Sequence, residues 1–186
     1  MRKGHFIKGL WHFLPLIFLL SFTFPGCSSP AANITEENNL MKINMGKHHL
    51  VAEKKSDVAG SFLIMGGFTP NSEAMEFFTA GFLAIPKDQA QELINKYGDI
   101  SHCKTAGAAE AQSRIRPITF LTEKPDVRNK ILETVRLAKG NTWPSIEISG
   151  TELNIVEHKY GEMLFNMTGM GTFYLVNEIT IKEGIL

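Results

Sequence analysis

Cysteine is scarce in this chain of 186 residues, which contains only Cys27 and Cys103. Cys27 belongs to the N-terminal segment, so the rest of the chain has a single cysteine and cannot form an internal disulfide. The folded part must therefore be stabilised by its hydrophobic core.

Runs of basic residues are also missing. After residue 26 no run of Lys or Arg is longer than Lys54-Lys55. The chain has 19 basic and 19 acidic residues, and three of the basic ones but no acidic one precede Cys27, which leaves 16 against 19 and a net charge of −3. Nucleic-acid binding needs a basic patch or stripe. We therefore expect no nucleic-acid partner.

No apolar run is long enough for a confident transmembrane helix. The longest runs from Phe13 to Phe24, is interrupted by Pro15, and spans about a dozen residues, whereas a helix needs roughly 20 to cross a bilayer. Arg2, Lys3 and Lys8 precede it. A basic start, a short apolar middle and a small-residue end are the layout of an export signal, here residues 1–26.

The signal ends in Phe24-Pro25-Gly26-Cys27. Over the first 30 or so residues the chain resembles the lipobox-type signal of bacterial lipoproteins. The resemblance implies cleavage between Gly26 and Cys27 and attachment of palmitate-type acyl chains to Cys27. Ser28, in place of aspartate, resembles lipoproteins sent to the outer membrane. We expect a lipid-anchored protein of the bacterial envelope, facing the periplasm or the cell exterior, with the membrane as a partner.

Other interpretations of the N-terminus stay open. An ordinary signal peptidase would cut after Ser29-Pro30-Ala31. The segment could also remain as an uncleaved anchor, or the chain could be secreted by a eukaryote with glycans on Asn33 and Asn166, which both begin Asn-x-Thr patterns.

Residues 27–39 are rich in small and polar residues and contain a single Ile. Such a composition cannot bury enough apolar surface to order itself, so it predicts a flexible tether with a reach on the order of 20 Å. Residues 40–186 are then one globular domain, of a size that buries a sizeable core.

Apolar spacing predicts two helices, at 86–98 and 124–140, and the alanine-rich segment 105–114 is a third candidate helix. In the first, Ala90, Leu93, Ile94 and Tyr97 share one face. Pro86 and Gly98 mark its two ends.

Short runs of branched and aromatic residues predict about seven strands. The segments 58–68 and 74–85 form a hairpin, with a bulge or close backbone approach at Gly66-Gly67. A strand at 115–121 follows, and four antiparallel strands occupy 145–181, separated at Gly150, at Gly161 and at 169–171. The fold class is α+β: a mostly antiparallel sheet with two to three helices on one face, or a small barrel.

Local catalytic motifs are weak. Ser101-x-x-Lys104 has the spacing of a nucleophile and amine one helical turn apart, but its companion motifs are missing. His102 and Cys103 are adjacent and therefore diverge. We identify no catalytic residue, no cofactor and no metal site. The residues whose type suits copper fall in two sets: Met163, Met167 and Met170, and separately Met41, Met45, His48 and His49.

The function that the sequence favours is a non-enzymatic binding domain for an envelope protein or glycan. The aromatic residues Trp143, Phe173 and Tyr174 are its candidate binding surface. The alternative is a hydrolase or copper-handling lipoprotein whose site residues are dispersed in sequence.

Overall fold

A computed structural model describes residues 33–45, 47–70, 78–98, 100, 106–139, 143–167 and 171–182. The strands are β1 (Asn33–Glu37), β2 (Leu40–Met45), β3 (His48–Phe68), β4 (Phe78–Pro86), β5 (Arg116–Leu121), β6 (Ser145–Tyr160), β7 (Met163–Phe165) and β8 (Thr172–Lys182). The helices are α1 (Lys87–Tyr97), α2 (Ala106–Arg114) and α3 (Pro125–Lys139). The α+β class is confirmed.

All described strands belong to one sheet, in the order β1-β2-β3-β4-β5-β8-β6-β7. A further pairing between β3 and β6 closes β3, β4, β5, β8 and β6 into a ring. Among the described strands only β5 and β8 pair in parallel. The fold is therefore a mostly antiparallel sheet that contains a closed ring of strands, which combines the two architectures that the sequence left open.

Helices cover both faces of the sheet, not one face as expected. Phe62 and Ile64 pack in the cluster that contains the buried face of α3. Leu63, between them in the chain, packs with residues of α1 and α2. Because successive side chains of a strand point to opposite faces, α3 and the α1–α2 pair lie on opposite sides of β3. Three consecutive apolar residues, here at 62–64, are the pattern expected for a strand that is covered on both faces.

The two longest strands extend beyond the ring. The first part of β3 pairs with β2 and with the last part of β6, and register shifts occur in the β3–β6 ladder after Val51 and after Lys54. There Met41, Ile43 and Leu50 pack against Leu121 and Phe173 of the ring. We call this region the far end: β1, β2, β7 and the parts of β3 and β6 at 48–53 and 153–160.

The helix predictions are confirmed to within about one residue at each end. Helix α1 ends at Gly98, whose φ of 76° suits glycine and whose N–H donates to the carbonyl of Ile94. The predicted bulge near Gly66-Gly67 is also confirmed, since the β3–β4 register shifts between Ile64 and Gly66.

One strand prediction is wrong. Gly150 does not separate two strands, because β6 runs through it with a register shift against β8. Glycine is needed there because a Cβ would lie 2.1 Å from the backbone oxygen of Leu175. The region 145–181 therefore holds three strands, not four.

The boundary between tether and domain also differs from the expectation. Strand β1 pairs with β2 over Asn33–Glu37, inside the predicted tether of 27–39. Its polar sequence is ordered by backbone pairing to β2, which a hydrophobic pattern does not reveal. The folded part therefore begins no later than Asn33 instead of at Leu40.

Candidate functional site

A cavity of about 250 Å³ opens on the face of the sheet opposite α3, between the ring and the far end. Most of its lining is apolar: Phe68, Pro70, Ala80, Gly81, Phe165, Met167 and Phe173. The polar groups come from Thr119, Asn166, His48 and His158. We call this cavity the histidine pocket.

The pocket takes part of its shape from a glycine. Phe68 on β3 is paired with Gly81 on β4, and a Cβ at Gly81 would lie 2.2 Å from the Phe68 ring. The aromatic ring therefore lies over the bare backbone of Gly81, a common arrangement in sheets. The Phe68 side chain is nevertheless 61% exposed, so one wall of the pocket is an aromatic ring open to solvent.

The two histidines come from β3 and β6, which are far apart in sequence. On the β3–β6 ladder His48 is paired with Tyr160, and His158 is paired with Leu50. The two histidines are therefore diagonal neighbours on one face. Nδ1 of His48 lies 3.2 Å from Nε2 of His158, and the two ring planes are within 16° of each other with centroids 5.5 Å apart.

Met167 completes the cluster and determines the tautomer of His158. Its Sδ lies 3.3 Å from Nδ1 of His158. A thioether has no proton to donate, so Nδ1 of His158 donates to the sulfur and Nε2 holds the lone pair. Nε2 then accepts a hydrogen bond from Nδ1–H of His48. The result is a directed chain from His48 through His158 to Met167.

Burial favours the neutral form of His158. Only 9% of the residue is exposed, and burial lowers the pKa of His158 below its ordinary value, with the electrostatic interaction with His48 lowering it further. Aromatic rings enclose the pair: Phe165 lies 5.3 Å from the His158 ring and Tyr160 lies 4.8 Å from the His48 ring.

Next to the pocket the far end exposes apolar side chains. All three residues of β7 are exposed, Met163 at 56%, Leu164 at 68% and Phe165 at 44%, and Val156 on β6 is 56% exposed. Strand β7 is also one edge of the sheet. We call these four residues the apolar edge.

The three residues predicted as a binding surface, Trp143, Phe173 and Tyr174, lie in three different places in the structure. Tyr174 is buried against α3 at 8% exposure, and Trp143 packs against the α1–α2 cluster. Phe173 is 4% exposed and lines the histidine pocket. Neighbouring residues of a strand face opposite ways, so Phe173 and Tyr174 could not have shared a surface.

The structure separates the copper candidates. Met41 is buried in the core, Met163 belongs to the apolar edge, and His49 is exposed and bonds to Asn44. His48 and Met167, from different predicted sets, meet through His158, which the sequence did not single out. In the described part of the chain no group of three or more His, Cys, Asp or Glu side chains is placed to hold a metal ion.

The remaining predicted sites cannot be placed. Gly26 and Cys27 lie outside the described residues, as do Ser101, Cys103 and Lys104. Among the helices that the structure describes, none is long and apolar enough to cross a membrane.

Comparison with known proteins gives no relative: no protein-family model matches this sequence, and no curated protein or solved structure is detectably similar to it.

Proposed function

We propose that this protein is a membrane-anchored, non-enzymatic binding module of the bacterial envelope that holds a small apolar ligand in the histidine pocket. The observation that carries the proposal is the pocket itself, a cavity with a mostly apolar lining between two parts of one sheet. Binding sites are typically concave and apolar with a few polar groups that orient the ligand. Here the histidines, Thr119 and Asn166 would be those groups.

The chemistry of the lining favours an apolar ligand over a glycan. The described residues of the lining include no Asp, Glu, Lys or Arg. Sugar hydroxyls buried against Phe68, Phe165 and Phe173 would lose their hydrogen bonds to water without replacement, which is costly. The volume of about 250 Å³ is below the roughly 300 Å³ at which drug-sized sites begin, so the ligand is small.

The strand register supports a position close to the membrane. One row across the far end joins Asn33, Asn44, His49, Lys159 and Leu164, one residue from each successive strand. Strands are separated by about 4.8 Å, so Leu164 lies roughly 19 Å across the sheet from Asn33.

An anchor at Cys27 would act at the same end of the domain. Cys27 precedes Asn33 by six residues, which span at most about 20 Å when extended. A lipidated Cys27 therefore holds the far end, with its exposed apolar edge, beside the lipid surface. Two or three acyl chains attach a protein durably, whereas one binds only marginally. The pocket next to that edge would take its ligand from the bilayer side.

The anchor is tested by replacing Cys27 with serine in bacterial cells and separating membrane from soluble fractions. We expect the variant to remain unprocessed by the lipoprotein pathway and to lose its acyl chains. Cys103→Ser is the matched control and should behave as the parent. A Cys27→Ser protein that is still processed and still fractionates with membranes would rule the anchor out.

The pocket is tested separately with the neutral fluorescent probe N-phenyl-1-naphthylamine. Phe165 lines the pocket, while Leu164 precedes it on β7 and is not part of the lining. We expect Phe165→Lys to weaken probe binding at least tenfold and Leu164→Lys to leave it within about twofold. Equal losses in both variants, or no binding by the parent, would contradict the proposal.

A further inference from the structure

The separation of two nitrogen atoms in the histidine pocket matches the first shell of a metal ion. Nδ1 of His48 and Nε2 of His158 are 3.2 Å apart. Nitrogen ligands bonded at about 2.0 Å are roughly 2.8 Å apart at the 90° angle of a square-planar ion and roughly 3.3 Å apart at the tetrahedral angle. An ion between the two rings therefore requires little movement of either side chain.

The hydrogen bond to Met167 prepares His158 for this role. Since Nδ1 of His158 donates to the thioether, the lone pair of Nε2 points toward His48. Histidines that bind metals almost always have the other ring N–H held by an acceptor, which fixes the tautomer and the ring orientation. Met167 is thus a positioning residue and not a ligand, because its sulfur lies on the opposite side of the ring from Nε2.

We propose that His48 and His158 bind one late first-row transition-metal ion, Cu²⁺ most tightly, between Nδ1 of His48 and Nε2 of His158. Imidazole suits these ions, and Cu²⁺ is the tightest binder of the series at a given site. Binding requires the neutral His48 ring to carry its proton on Nε2 instead of Nδ1, a change of tautomer without a change of charge. Both rings line the cavity, so the open coordination positions face the pocket.

This metal site goes beyond the proposed binding function and does not depend on the lipid anchor. An ion with two protein nitrogens and open positions can take a donor atom from a molecule in the pocket. Within an otherwise apolar cavity, the bound ion would favour ligands that carry a nitrogen, oxygen or sulfur donor atom.

The test is titration of the purified full chain with Cu²⁺, with binding followed by electron paramagnetic resonance. The variants are His48→Gln and His158→Gln, and the control is His49→Gln. His49 is the next residue on the same strand, is exposed, and bonds to Asn44 instead of facing the pocket. The remaining histidines, His5, His12 and His102, are common to all variants, so differences between variants report on the pocket.

We expect one equivalent of Cu²⁺ per chain, with nitrogen hyperfine structure from two imidazoles. Each pocket variant should weaken binding at least tenfold, and His49→Gln should leave it within about twofold. Thermal unfolding gives a second measurement, because an ion bound to the folded state raises the melting temperature of the parent. If one pocket variant does not fold, the other decides.

Met167→Leu separates positioning from ligation. The variant keeps both nitrogens but removes the acceptor that holds the His158 tautomer. We expect it to keep the stoichiometry and the two-nitrogen signature with weaker binding. The inference is overturned if the pocket variants bind Cu²⁺ as the parent does, if His49→Gln loses as much as they do, or if the spectrum shows no pair of nitrogen ligands.

Discussion

The ring and the far end of this molecule use the same sheet in different ways. At the ring, α3 covers one face and α1 with α2 covers part of the other, so aromatic and branched side chains such as Phe82 and Phe120 are fully buried. At the far end the described residues include no helix, and the edge strand β7 is exposed. The histidine pocket lies between this end and the ring. The far end has buried residues of its own, Met41, Ile43 and Leu50, but the histidine pocket and the exposed apolar edge both lie where helices do not cover the sheet.

The largest effect should come from the ring core. Phe120 is fully buried and contacts Phe82 and Tyr174 with ring centroids 5.2 and 6.1 Å apart. Phe120→Ala should lower the free energy of unfolding by about 3–5 kcal/mol, because it removes a large side chain and leaves a cavity. Urea unfolding of the full chain measures it.

Phe165→Ala, at the far end, is the matched control. Phe165 is 44% exposed, so its truncation should cost under about 1 kcal/mol. Similar losses for the two phenylalanines would mean that the exposed edge strand β7 contributes to stability as much as the buried ring core does, and the contrast between them would fail.

A second, smaller effect should appear at a glycine of the ring. Gly150 lies where a Cβ would meet the backbone of Leu175, which cannot rotate away. Gly150→Ala should therefore destabilise the fold by about 1–3 kcal/mol through overpacking.

Gly66, at the β3 bulge, has nothing within 4 Å of its Cβ position. Gly66→Ala should be neutral or raise stability by about 0.4–1 kcal/mol, because alanine restricts the unfolded chain. Chemical denaturation measures the free energy of unfolding of both variants. A larger loss of stability in Gly66→Ala than in Gly150→Ala would contradict the explanation that Gly150 is required by the close approach of Leu175.

The smallest effect should be a pH dependence that originates at the far end. The pKa of His158 is lowered in the folded protein from the ordinary 6.5. The unfolded chain then binds more protons as the pH falls below about 6.5, so this contribution to stability is present above that pH and is lost as the pH falls through the folded pKa. His48, Tyr160 and Lys47 are the neighbouring titratable groups that the protein places there.

Melting temperatures measured from pH 8 to pH 5 test this expectation. The parent should lose stability below about pH 6.5, and His158→Gln should lose less over the same range. His49→Gln serves as the exposed-histidine control and should follow the parent. A parallel fall of all three proteins would assign the pH dependence to other groups.

Sequence patterns correctly predicted the helices and strands that are marked by residues close together in the chain. The helix at 87–97 is marked by the spacing of Ala90 and Leu93 and by the flanking Pro86 and Gly98. The early hairpin, its bulge and the α+β class followed from alternation and glycine in the same way. The lipid anchor at Cys27 and the envelope location stay predictions, because residues 1–32 lie outside the described part of the chain.

Local patterns failed where a backbone partner decides the outcome. Gly150 looks like a chain break, yet it sits inside β6 because β8 passes close to it. Strand β1 is polar apart from Ile34, which packs at the edge of the far-end core, and its pairing with β2 makes it a strand.

The histidine pocket shows the same limit at the site. The sequence groups His48 with Met45 and His49 as candidate copper ligands because these residues are its neighbours along the chain. Its actual partner, His158, is 110 residues away and is brought to it by the β3–β6 register. Composition and periodicity are enough to specify an α+β domain with two to three helices, and they predict an export-type N-terminus. Which strands close the ring, and which side chains then meet across them, is set by long-range pairing, since a strand alone does not encode its neighbour.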